Sequence, residues 1–244
     1  MNKKKIIIFT GGNGRFGQVL KTIKSNKKIL FPTKSEFNIL NISKMRKYIK
    51  KIKPYYLIHA AGLSRPMSLH DTNIGKSIEL NIIGTANITK VCAENRIKLI
   101  YFSTAYVYPG IKGNYNETNS LKPINNYAWS KLGGESAVQM YKNSLILRLS
   151  MTEKPFIHKK AFYDFKTNFM FHINFAKILL KLINKKGIFN VGGKSQSVYD
   201  FAKKQNLKVG KISFKKLFGK KSPRNVSMNI TKLKKLLSKS NLDL

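Results

Sequence analysis

A chain of 244 residues with 47 Lys and Arg against 10 Asp and Glu, a formal net charge of +37, is long enough to bury a substantial core and basic enough to draw anions to its surface. Its single cysteine, Cys92, excludes an internal disulfide and any zinc–cysteine cluster, which fits a reducing compartment. The basic residues Met1 to Lys5 lead into an apolar run that stops at Phe9, too short for a signal-peptide core; no stretch reaches membrane-span length, so a soluble, cytoplasmic chain without a membrane partner is expected.

The lysines are dispersed over Lys21 to Lys28, Lys44 to Lys53, Lys203 to Lys221 and Lys232 to Lys239, without the aromatic interleaving of a single-strand binding groove. They read as solvated surface charge, with salt-sensitive adsorption to polyanions but no specific nucleic-acid partner.

Ile6 to Phe9 is short and rich in β-branched residues, the pattern of a buried parallel strand. Glycines follow, and two spacings fit, G-x-G-x-x-G from Gly12 and G-x-x-G-x-x-G from Gly11. Gly11, Gly14 and Gly17 let backbone approach a pyrophosphate and let the following helix, with Phe16, Val19, Leu20 and Ile23 on one face, pack tightly on the strand. This predicts a dinucleotide cradle, with Arg15 and Phe16 on its cofactor side. A second strand, Lys28 to Phe31, ends in Pro32-Thr33-Lys34. Lys34 stands where an acidic residue would hold a ribose 2′-hydroxyl, and with Arg15 it favours NADP(H) over NAD(H).

Asn41-Ile42-Ser43 precedes a helical pattern for which Ser43 is the expected N-cap, and Lys53-Pro54 stops it. Tyr55 to Gly62 is an apolar strand whose end, Ala60-Ala61-Gly62, leaves room for a ligand. His59 reads as a packed strand-end histidine rather than a base. Leu63 to Asp71 is loop-like, and its Arg65 either meets a substrate phosphate or faces solvent. Asn73 to Asn95 reads as one long helix. Lys98 to Val107 is the next strand, containing Ser103 and Thr104, and Asn126 begins a helix carrying Tyr127-Ala128-Trp129-Ser130-Lys131. Tyr and Lys four residues apart share a helix face, and a neighbouring ammonium favours phenolate, tuning the phenol for proton transfer.

These residues together resemble the extended short-chain dehydrogenase/reductase superfamily, in its dTDP-4-dehydrorhamnose reductase-like branch of sugar-nucleotide reductases and epimerases. The resemblance runs from Lys4 to about Ser150 and weakly to about Leu237. It implies an α/β fold, a Rossmann-like doubly wound parallel sheet in residues 1–150, with a small, shortened C-terminal substrate lobe in residues 151–244, some segments of which return to the main domain. It selects the glycine frame beginning at Gly11. It places Gly11, Gly14 and Gly17 at the cofactor pyrophosphate, Asn41 at the family's acidic adenine-contacting position, and Ala60, Ala61, Gly62 and Asn81 along the cofactor. Thr104, Tyr127 and Lys131 fall on the catalytic Ser/Thr, Tyr and Lys, with Tyr127 and Lys131 also contacting the cofactor and Thr104 the substrate.

The implied activity is NAD(P)-dependent reduction of a nucleotide-linked keto sugar, with an epimerase or a catalytically silent nucleotide-binding regulatory subunit as alternatives. A homodimer is compatible with the family. The sugar-nucleotide 4,6-dehydratases carry Asp-Glu after the threonine; Ala105-Tyr106 here lack the acid and base for that elimination. After Leu145 to Leu149, only Met151 to Thr167 fills the interval of the substrate-binding insertion. Asn168 to Leu182, Ser197 to Gln205 and Ile230 to Leu237 are expected helices, and Gly187 to Gly193 an expected strand and turn.

Overall fold

The computed structural model describes residues 5–238; Met1 to Lys4 and Lys239, at the ends of the basic runs noted above, lie outside them. Strand β1 (Ile6–Thr10) has Ile7, Ile8 and Phe9 fully buried, as a strand covered on both faces requires. Helix α1 (Arg15–Lys21) and strand β2 (Lys28–Leu30) follow. Helix α2 (Ile42–Ile52) starts one residue before Ser43, because Asn41 caps it instead, its Oδ1 accepting from the Lys44 N–H at 2.9 Å. Lys53, left-handed at φ 50°, ends the helix.

After β3 (Tyr56–His59), the expected loop contains a single helical turn, α3 (Leu69–Thr72). The expected long helix is divided into α4 (Ile74–Ile78), a π-helical turn at Glu79–Ile83, and α5 (Gly84–Glu94). Strand β4 (Lys98–Thr104) is shorter than Lys98 to Val107, since the Thr104 hydroxyl accepts from the Tyr106 N–H at 3.2 Å and turns the chain into a 3-10 turn at Ala105–Val107. Helix α6 (Asn126–Gln139) is capped by Asn125, and β5 (Ser144–Leu149) follows.

The remaining elements are β6 (Met151–Thr152), β7 (Lys160–Phe162), β8 (Lys166–Thr167), β9 (Met170–Phe171), α7 (His172–Leu182), β10 (Gly187–Val191), β11 (Gln196–Ser197), α8 (Val198–Lys203), β12 (Gly210–Ile212), α9 (Phe214–Phe218) and α10 (Thr231–Ser238). Helix α7 begins at His172 rather than Asn168 because the Asn168 amide is committed elsewhere: its Nδ2 donates to the Gly193 carbonyl at 2.9 Å and its Oδ1 accepts from the Met228 N–H at 2.5 Å.

The central sheet has six parallel strands in the order β10-β5-β4-β3-β1-β2, a Rossmann-like arrangement. From β1 the chain runs outward to β2 and then crosses back to β3. The strand order therefore reverses between β1 and β3, where Thr10 pairs with His59, and an open α/β sheet offers its ligand crevice at the carboxyl ends of such a pair.

The chain divides into two compact units. The first runs to Ser103 and takes in Asn125–Leu147 and Leu179–Ile188. Its core packs Ile8, Met45, Leu57, Val91, Leu99 and Ile146 around the buried thiol of Cys92. The second contains Thr104–Ile124, Arg148–Ile178 and the chain from Phe189. Its core is aromatic, built on Phe156, Phe165, Phe171 and Phe201, with three short strand pairs: β6 with β9, β7 with β12, and β8 with β11. In this second unit Arg148 is 2% exposed, donating to the Tyr108 hydroxyl at 2.8 Å and to the Glu117 carbonyl at 3.1 Å.

Candidate active site

The glycine loop is shaped by close backbone contacts. Gly11 has φ +83°, and a Cβ there would lie 2.9 Å from Ala61 N and 3.0 Å from the Ala60 carbonyl carbon, so only glycine lets the turn after β1 settle on the turn after β3. A Cβ at Gly17 would lie 2.6 Å from Gly11 O and 2.7 Å from Gly12 Cα, so α1 could not begin where it does. The Gly14 N–H donates to Gly11 O at 2.9 Å, and Gly14 caps α1 without a side chain. The glycines of the frame beginning at Gly11 thus hold the turn between β1 and α1 and its close contact with the turn after β3.

Its neighbours differ in exposure. Arg15, Gly14 and Gly62 are exposed and Ala60 and Ala61 half-buried, whereas Phe16 is buried against Phe9 and Phe102, with ring centroids 6.0 and 5.5 Å away. At the tip after β2, Lys34 is exposed, and Glu36, to which the sequence reading assigned no role, stands beside it. The Glu36 carboxylate accepts from the Thr33 N–H and hydroxyl, both at 2.8 Å, and these hydrogen bonds lower its pKa. Asn41 is exposed with its Oδ1 spent on capping α2. Arg65 is exposed in the segment before α3.

A continuous polar chain links the sheet to α6. Thr10 donates its hydroxyl to His59 Nδ1 at 2.9 Å and accepts the Ala61 N–H at 3.2 Å. Thr85 donates to the Asn81 carbonyl at 2.7 Å, so its Oγ1 accepts from His59 Nε2–H at 3.1 Å, and the imidazole with its hydrogen on Nε2 is left to accept the Thr10 hydroxyl on Nδ1. Asn81, in the π-helical turn, accepts the Leu63 N–H on Oδ1 at 2.7 Å and donates from Nδ2 to the Leu63 carbonyl and to Ser130 Oγ at 2.9 and 2.8 Å. Ser130 in turn donates to the Tyr127 carbonyl at 2.8 Å. A Cβ at Gly134 would lie 2.5 Å from Asn81 O, so glycine is what lets α6 come this close to the π-helical turn.

On α6, Tyr127 is half-buried and its ring meets His70 edge to face at 5.1 Å. Lys131 is buried, its Nζ 4.2 Å from the centre of the Tyr101 ring, whose hydroxyl donates to the Lys131 carbonyl at 3.0 Å. Burial pushes the Lys131 ammonium down to about 7, opposed by the charge of Glu135. Thr104 belongs to the second unit, where it is buried and closes β4. A hollow lined by Arg46, Lys50, Tyr55 and Glu94 lies at the amino ends of the strands, away from the glycine loop.

Burial, reinforced by the charge of Lys131, pushes His59 down to about 3 from an ordinary value of 6.5. The unfolded chain therefore takes up a proton at His59 below about pH 6.5 that the folded chain refuses until about 3. Stability falls as pH falls through that window, by at most about 1.4 kcal/mol per pH unit from this group. Denaturant midpoints measured from pH 7 to 4 should fall more steeply for the native protein than for His59→Gln.

The family described as the RmlD substrate binding domain matches residues 4–162, more than half of the chain. The chain belongs to this RmlD family. Among curated relatives of the RmlD-family chain, methionine adenosyltransferase 2 subunit beta of Xenopus laevis is 31% identical over 152 residues, 58% of this chain and 45% of that protein. The dTDP-4-keto-6-deoxy-D-glucose reductase of Streptomyces niveus is 27% identical over 136 residues, 54% of this chain and 46% of that protein. The chain spans about half the length of the curated relatives it matches. Of solved structures, dTDP-4-dehydrorhamnose reductase from Bacillus anthracis in complex with NADP superposes with a TM-score of 0.82 at 24% identity, covering 95% of this chain and 91% of that one. The Bordetella bronchiseptica enzyme WbmG in complex with NAD gives 0.77 at 17% identity, covering 97% and 89%. At these identities the superpositions show the fold. Among the described residues, no helix is long and apolar enough to cross a membrane.

Proposed function

We propose that this RmlD-family chain is a nicotinamide-dependent reductase of a nucleotide-linked keto sugar, working in the cytoplasm. The observation that carries the reading is the buried Lys131 one turn from Tyr127 on a helix locked, through Asn81 and Ser130, to the same unit that holds the glycine loop. The solved relatives bound to NADP and NAD, and the Streptomyces reductase, support it.

The loop fits the pyrophosphate of such a cofactor: Gly11 and Gly17 occupy space that any Cβ would fill, and no side chain caps the start of α1. The bound cofactor supplies the hydride. Tyr127 donates the proton to the carbonyl oxygen, Thr104 offers that oxygen a hydrogen bond as charge develops, and Lys131 holds the cofactor ribose and tunes the phenol. Arg15 and Lys34 favour NADP over NAD, against the carboxylate of Glu36 at the same tip. Arg65 is the candidate contact for a substrate phosphate.

Purified protein should consume NADPH when given nucleotide 4-keto sugars, seen as loss of near-ultraviolet absorbance. An epimerase would retain bound cofactor and show no net oxidation. The relatives named as a subunit of methionine adenosyltransferase favour a second reading, a cofactor-binding subunit without turnover. NADPH binding with no consumption across the 4-keto sugars would select it. In either case Gly17→Ala, whose new methyl meets backbone that cannot yield, should cost about 1–3 kcal/mol of stability. It should also weaken NADPH binding at least about tenfold, the equivalent of 1.4 kcal/mol, in a fluorescence titration.

A further inference from the structure

One turn beyond Lys131 on α6 stands a second buried ionisable group, Glu135, with no exposed surface. Its Oε2 accepts the Ser103 hydroxyl at 2.5 Å, and the Gln139 amide donates to its Oε1 at 3.4 Å. A carboxylate taken out of water is costly unless hydrogen bonds and an opposite charge compensate it, and the same holds for the ammonium of Lys131. Residues four apart on a helix are neighbours, so each can supply what the other lacks.

The surroundings of Lys131 narrow the choice of partner. Tyr101 from β4 lies against the ammonium with its ring face. His59 from β3 and His70 from α3 both feel the charge of Lys131, which adds to burial in lowering the pKa of each imidazole. Asp71 acts on His70 and accepts from Asn126 Nδ2 at 2.8 Å. On α6 itself stand Tyr127 and Glu135, and Glu135 is the carboxylate whose charge opposes the effect of burial on Lys131. Its other anchor, Ser103, is the residue before Thr104, so the same side chain holds the end of β4.

We propose that Glu135 is the buried counter-charge of Lys131, a positioning residue that keeps the ammonium protonated and in place on the Tyr101 ring, and so acts on Tyr127 through Lys131. The part concerning Tyr127 rests on the reductase reading; the pairing of Glu135 with Lys131 does not.

The test is a pH titration of the full chain carrying ¹³C-labelled lysine, without cofactor, following the Lys131 Cε resonance identified by its loss in Lys131→Met. Glu135→Gln keeps the shape and the hydrogen-bonding capacity toward Ser103 but removes the charge, and should lower the Lys131 midpoint by about 1–3 pH units. Ser103→Ala, which removes the hydrogen bond and keeps the charge, should lower it much less. An unchanged midpoint in Glu135→Gln overturns the proposal.

Should Glu135→Gln not fold, Glu135→Asp, which keeps the charge but draws it back by one methylene, must lower the Lys131 midpoint by a smaller amount, and no change is equally fatal. In turnover, the alkaline limb of kcat/KM should move to lower pH in Glu135→Gln, which a merely structural role would not produce. A native protein that consumes no NADPH counts against the reductase reading and leaves the titrations to judge Glu135 alone.

Discussion

Tyr127→Phe should lower NADPH consumption with nucleotide 4-keto sugars by roughly 10²–10⁴-fold while the variant still folds and still binds NADPH. The substitution removes one oxygen and keeps the ring, so the edge-to-face contact with His70 persists. The backbone carbonyl of residue 127 still takes the Ser130 hydroxyl, so α6 remains tied to Asn81. What is lost is the phenol hydroxyl proposed as the proton donor. A variant that consumes NADPH at the native rate would remove Tyr127 from the reaction. If native and variant both bind NADPH and neither consumes it, the reading passes to the silent subunit.

The parts of this arrangement that could be read in the sequence are those confined to one element or one turn. The glycine spacing after β1 and the Tyr127/Lys131 spacing on α6 are local patterns, and the structure puts the first between β1 and α1 and the second on one helix. The hub around Asn81 is different. Its partners Leu63 and Ser130 lie 18 and 49 residues away, and such contacts leave no periodic signal. The resemblance pointed to Asn81, but nothing in residues 73–95 announced a π-helical turn. Glu135 was visible as an acid one turn past Lys131, yet only burial reveals it as more than a surface charge.

Helix starts failed where side-chain amides competed. Asn41 displaced Ser43 as a cap, and Asn168 was drawn into long-range hydrogen bonds that hold the chain extended for four residues more than its helical pattern suggested.

The second large effect concerns folding. Arg148→Ala should destabilise the protein by about 2–5 kcal/mol, the cost of a large-to-small cavity together with buried oxygens left without a donor. The guanidinium lies 5.1 Å from the centre of the Tyr108 ring and donates to that residue's hydroxyl. Tyr108 passes its own hydrogen to Asn190 Oδ1 at 2.7 Å and stacks on Tyr115 at 5.0 Å. Asn190 Nδ2 then holds the Tyr115 and Asn229 carbonyls, so one cation organises segments drawn from all three parts of the second unit. Removing it leaves a cavity and strands the Tyr108 and Glu117 oxygens. For a chain of this size the loss corresponds to a fall in Tm of roughly 10 °C. Arg148→Met, which refills the volume, should recover part of that loss; if both variants melt with the native protein, the network contributes nothing to stability.

Cys92 gives the first unit a built-in reporter. It is the chain's one thiol, carried by α5 and fully buried in a core shared with β3 and β4, and burial also raises its pKa and suppresses the reactive thiolate. A thiol reagent can reach it only when that core opens, so the rate of labelling counts openings of this unit without an added probe and without sensing the second unit. Any compound that settles in the glycine loop and favours the closed form must slow the reaction in proportion to its occupancy. Protection of Cys92 would therefore rank candidate cofactors and nucleotide sugars by binding alone, whether or not the protein turns any of them over.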